Sequence, residues 1–204
     1  MDEMFAYFLK KMGPAFARRD VPASSIERYR GKLPDQLLAY WQEHGWSGYA
    51  DGLFWTVDPQ EYEPVLEAWI GTTPFMEQDA LHIIARSAFG GLYFWGARTG
   101  YALKLFAPGA YVLPMNDTPS GESLDQQVQM FFGYTKRAPN DFDDLFAPAL
   151  KKLGHLGHDE MYGFVPALAL GGPADLAHLE KVSAVAHLVI LAQLSDLRVL
   201  RKPE

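Results

Sequence analysis

The sequence predicts an α+β protein, antiparallel sheet with packed helices, organised as two subdomains. Three observations carry that expectation. Helical and strand-like runs come in blocks, without regular βαβ alternation. Three strand-like runs between His82 and Phe106 follow one another through connections too short for a parallel crossover, so they must be antiparallel. The stretch Pro114–Gly121 (PMNDTPSG) interrupts the pattern between two halves. The expected division is a first domain over 1–113, a linker over 114–121 and a second domain over 122–204.

The elements follow in order. Phe5, Phe8, Leu9 and Met12 fall at helical spacing, and Gly13-Pro14 ends that run. Ser24 or Ser25 caps a short helix that finishes near Gly31. Pro34 opens another, PDQLLAYWQEH, which puts Leu37, Leu38 and Trp41 on one face and closes at Gly45. From Gly45 to Pro59, aromatic residues among glycines suggest short strands and tight turns. A helix from about Pro59 to Ile70 has Tyr62, Val65, Leu66 and Trp69 as its apolar face. Strands are expected at His82–Ala85, Gly91–Trp95 and Tyr101–Phe106, with another at Tyr111–Leu113. In the second half, Leu124–Phe132 and Phe142–Leu153 look helical and Tyr162–Leu170 looks like a buried strand. A last helix runs from about Ala174 to Leu194; it is apolar nearly all round from Val182 onward and is expected to be buried.

Composition removes several functions. The 204 residues contain no cysteine, so thiol catalysis, disulfides and cysteine-held metals are excluded. A net charge of −7 disfavours nonspecific nucleic-acid binding and points to a basic partner. The amino terminus carries acids before lysines, the reverse of a signal peptide, and the longest apolar run, Val182–Leu191, is about half a bilayer span. A cytoplasmic protein with no membrane contact is expected.

No phosphate loop, nucleophile elbow or H-E-x-x-H motif is present. The one cluster with metal-ligand chemistry is His155-Leu156-Gly157-His158-Asp159-Glu160. It supports an alternative in which a metal-dependent hydrolase is centred on His155, His158 and Asp159. The plainer reading is a polar connection, because Gly154 and Gly157 favour a turn. His178 and His187 fall on different faces of a helix, and His44 suits a helix C-terminus. No cofactor is expected.

Charge placement is more informative. Between Lys32 and Arg86 there is no lysine or arginine, yet nine acids: Asp35, Glu43, Asp51, Asp58, Glu61, Glu63, Glu67, Glu77 and Asp79. Glu63 and Glu67, one helical turn apart, repel by a few tenths of a kcal/mol. A docking face for a basic partner accounts for that, as does a merely solvated face.

Within this region, Leu33–Ile70 carries Leu-Pro, Trp-x-x-x-Gly, Tyr-x-x-Gly-Leu-Phe-Trp, Pro-x-x-Tyr and then a leucine–tryptophan helix. It resembles the GAD-like domain, as does the glycine- and aromatic-rich stretch Phe89–Val112. Asp159–Leu194 is similar to the C-terminal domain that accompanies GAD-like domains in Tdi-type proteins. Those are bacterial immunity proteins that neutralise nuclease toxins of the type VI secretion system. The resemblance implies a non-catalytic protein whose partner is a cognate nuclease toxin, with no direct contact to nucleic acid; a non-inhibitory secretion adaptor is the variant reading. Joined to the charge pattern, it makes Asp51, Asp58, Glu61, Glu63 and Glu67 the expected partner-binding residues, with Trp55 and Tyr62 as exposed aromatic anchors.

Overall fold

The computed structural model describes residues 2–115 and 121–200. Most of the linker expected at 114–121 lies outside the described residues. Helix α1 (Glu3–Met12) starts where Asp2 accepts the N–H groups of Met4 and Phe5, and it stops at Gly13, whose φ of 79° suits glycine. Strand β1 (Phe16–Arg19), α2 (Ala23–Tyr29) and α3 (Asp35–His44) follow. Next come β2 (Trp46–Tyr49), β3 (Phe54–Thr56), α4 (Glu63–Ile70) and a short α5 (Pro74–Gln78). Strands β4 (Leu81–Ser87), β5 (Gly91–Gly96), β6 (Gly100–Phe106) and β7 (Tyr111–Pro114) complete the first half. The second half holds α6 (Leu124–Tyr134), α7 (Phe146–Leu153), β8 (Glu160–Phe164), β9 (Leu179–Ser183), α8 (Ala184–Leu194) and β10 (Arg198–Val199).

Eight strands form one sheet in the order β1-β2-β3-β4-β5-β6-β7-β10. Neighbours are antiparallel except β10, which lies parallel to β7. β8 and β9 make a separate antiparallel hairpin. The α+β architecture is therefore as expected.

Every residue of β3 and β5 is buried, so both faces of the sheet centre are covered. Phe54 and Tyr93 lie on one face, under Phe131 of α6 (ring centroids 5.5 Å between Tyr93 and Phe131). Helix α6 opens with a Ser123–Gln126 capping box and packs against α1 and α3, where Phe5, Phe8 and Tyr40 surround Phe132. The cross-strand pair Trp55 and Arg86 occupies the opposite face, together with residues 157–160. The second half thus grips the sheet from both sides, and one hydrophobic cluster runs through both halves. Among the described residues, no helix is long and apolar enough to cross a membrane.

Several boundaries differ from expectation. Residues 58–62 form turns before α4, with Asp58 accepting the Gln60 N–H. α7 begins at Phe146, because Asp143 and Asp144 take left-handed φ values of 47° and 61° and Asp141 accepts the Phe146 N–H. The buried strand ends at Phe164, and Pro166, which has no N–H to give a ladder, follows it. Leu179–Ser183 is strand rather than helix: it pairs with β8, and only from Ala184 does the chain turn helical. That last helix buries Ala184, Leu188 and Leu191 but leaves Ile190 49% exposed, so it is not enclosed all round.

Candidate partner-binding surface

The acidic block does not remain uncompensated in three dimensions. β1 brings Arg19 onto Glu61, with guanidinium-to-carboxylate distances of 2.7 and 3.0 Å. Arg137, from the second half, lies 3.8 Å from Asp51, which sits at a left-handed turn with φ 60°. Asp58 is buried, its carboxyl is spent on the turn into α4, and burial pushes its pKa up. Glu63 and Glu67 are exposed on α4, and neither has a salt-bridge partner among the described residues. Of the five acids, these two form the free acidic face.

Both expected aromatic anchors are buried. Trp55 is 0% exposed: it sits in a central strand, donates its indole N–H to the Gly52 carbonyl at 2.7 Å and carries Arg86 over its ring at 5.1 Å. Tyr62 is 2% exposed, tucked under α4 near Arg86. Neither can anchor a partner in this conformation. The apolar surface near α4 comes instead from α8, which packs against it through the Trp69 indole N–H to the Leu188 carbonyl (2.9 Å). Ile190 and Leu194 of α8 are 49% and 39% exposed.

The His155–Glu160 cluster is dispersed among other tasks. His155 is exposed beside the Phe16 ring. His158 lies edge-on to Trp55 (5.0 Å) and hydrogen-bonds the Ala17 carbonyl. Burial, with help from Arg19 and Arg86, holds its pKa below the ordinary histidine value. Glu160 accepts the Gly157 N–H (2.8 Å) and the Lys181 ammonium (2.9 Å). Among the described residues, no three histidine, aspartate or glutamate side chains group to hold a metal. The hydrolase centre expected as the alternative is therefore not assembled.

One of the contacts that connect the halves is made by Arg86, fully buried and unheralded by any motif. Its guanidinium donates to the carbonyls of His158 (3.0 Å) and Glu160 (2.7 Å), with Gly157 at 3.3 Å. The one sequence signal is its position: a lone arginine inside an apolar strand has to find buried acceptors.

The comparisons agree with this architecture. Residues 3–108 match the family model of the GAD-like domain, and the chain belongs to that family. Residues 125–195 match the model of the C-terminal domain of the T6SS immunity protein Tdi1, and the two matches in this order support a type VI immunity role. The crystal structure of Atu4351 from Agrobacterium tumefaciens superposes with a TM-score of 0.86, covering 98% of this chain and 93% of that one. At 19% identity, that likeness shows a shared fold. No curated protein matches the sequence.

Proposed function

We propose that this protein neutralises a cognate type VI nuclease toxin in the cytoplasm of the cell that makes it, by binding rather than by catalysis. The observation that carries the reading is the α4–α8 surface. Glu63 and Glu67 stand exposed on α4 without a cationic partner among the described residues, and α8, the helix packed against α4, leaves Ile190 and Leu194 exposed. A nuclease needs a basic surface to hold phosphate; an acidic face complements such a surface in charge, and exposed apolar side chains favour its desolvation. The match to the Tdi1 C-terminal model supports the immunity role.

The test is co-expression and co-purification with the nuclease encoded nearest to this protein, followed by a nuclease assay. Rescue of toxicity and loss of nuclease activity in the complex are expected. The Glu63→Lys/Glu67→Lys double variant should weaken binding and flatten its dependence on salt. Equal affinity of wild type and variant at low and high salt overturns the assignment of this face. Unimpeded nuclease activity in a stable complex overturns neutralisation itself.

A further inference from the structure

On the face of the sheet covered by α6 lies a cavity of about 590 Å³. That is within the ordinary range for small-molecule sites. Its walls are aromatic: Phe131 meets Tyr101 at 5.1 Å and Tyr93 at 5.5 Å, ring centroid to centroid, and Tyr134, 68% exposed, stands at the rim. Two polar ends interrupt these walls.

At one end is Lys104. Its ammonium lies 5.1 Å from the Tyr93 ring centroid and donates to the Pro139 carbonyl at 3.1 Å; no carboxylate lies within salt-bridge distance among the described residues. Burial lowers its pKa to about 8. Beside it, Asn140 holds the Tyr93 hydroxyl at 2.6 Å and the Lys136 carbonyl at 2.7 Å, so this wall is fixed. At the other end, Gln127 donates to the Glu122 carbonyl at 3.3 Å, and its Oε1 is enclosed rather than open to the cavity. Gln127 packs on Gly100, at the start of β6. Lys104 stands farther along the same strand, about 13 Å away at the ordinary rise per residue.

We propose that this cavity binds a small planar aromatic acid. Its rings lie among Tyr93, Tyr101 and Phe131, and its anionic group meets Lys104. The chemistry excludes the neighbouring classes. A cation meets the ammonium, and an aliphatic acid leaves the aromatic walls without a stacking partner. The site is separate from the α4–α8 face, and its test needs no toxin.

The probe is an anilinonaphthalenesulfonate, a planar aromatic acid whose fluorescence rises in apolar surroundings. The control is the neutral phenylnaphthylamine that lacks the sulfonate. Wild-type protein should bind the sulfonate saturably, one per chain, and about tenfold or more tighter than the neutral amine. Lys104→Met should remove that preference, lowering the sulfonate's affinity far more than the neutral amine's. Tyr134→Ala, at an exposed position, should weaken both ligands. Unsaturable binding, equal affinity of wild type for the two ligands, or equal loss of both in Lys104→Met overturns the proposal. If Lys104→Met does not fold, the wild-type preference together with Tyr134→Ala decides it.

Discussion

Arg86 has no carboxylate partner; its charge is met by carbonyl oxygens of residues 157–160 and by the face of Trp55. Replacing it with alanine strands those carbonyls and opens space beneath Trp55. Arg86→Ala should therefore cost about 3 kcal/mol or more, read as a shift in the urea midpoint. Arg86→Lys should recover only part of this, because the shorter side chain ends before the Nη2 position that serves all three carbonyls and has no planar group to lie over the Trp55 ring. Asp79 is a second buried charge, and its environment works the other way. Burial raises its carboxyl pKa, but the Thr99 hydroxyl and the N–H groups of Arg98, Thr99 and Ala80 outweigh burial and hold the group below the usual carboxylate range. The stability it contributes is present above the unfolded value of about 3.9 and lost as pH falls through the lower folded value. Asp79→Asn should flatten the acid limb of a stability-versus-pH curve. At this scale the sequence is only partly readable: Glu63 and Glu67 show their exposure through local charge, whereas the burial of Trp55 and Tyr62 depends on residues far along the chain.

The elements that sequence reveals are those whose cause is local. α1 and α3 show themselves through apolar spacing and a terminal glycine, and β4, β5 and β6 through short turns between apolar runs. β1 does not, since FARR gains its strand character only by pairing with β2 across two intervening helices. The same holds for Leu179–Ser183, where a continuous apolar run hides the change from strand to helix, and for β10 at the sheet edge. Helix ends are held by similarly distant partners. Lys11 of α1 donates to the carbonyl of Thr135 (2.8 Å) as well as that of Gly133, a cation at the C-terminus of α6. Lys11→Met should cost about 1 kcal/mol in urea unfolding, and it should release the end of α6 to faster amide exchange without touching the far edge of the sheet.

Across the molecule, the two family segments share one core, with α6 on one face of the sheet and residues 157–160 on the other. Unfolding should accordingly be one cooperative transition, with tryptophan fluorescence and far-ultraviolet dichroism tracing the same curve; two separated transitions would show independent halves. Acid should weaken the whole. His44, His82, His158 and His187 all have pKa values lowered chiefly by burial, so the folded state keeps them neutral. The resulting loss of stability begins as pH drops through about 6.5, where the unfolded chain takes up protons, and is complete below the folded values. The urea midpoint should therefore be lower at pH 5.5 than at pH 7.5. The clasp at Arg86 has a consequence for how such proteins change over time. One side of it is a single side chain, but the other is bare main chain, offered by every amino acid alike. The Arg86 contact itself asks only that this loop keep its path; the side chains of His158 and Glu160 are held by other partners, the Ala17 carbonyl and the Lys181 ammonium. At this one contact the first half is tied to a residue identity and the second only to a backbone path, whereas the shared core and the Tyr93–Asn140 bond draw on side chains from both.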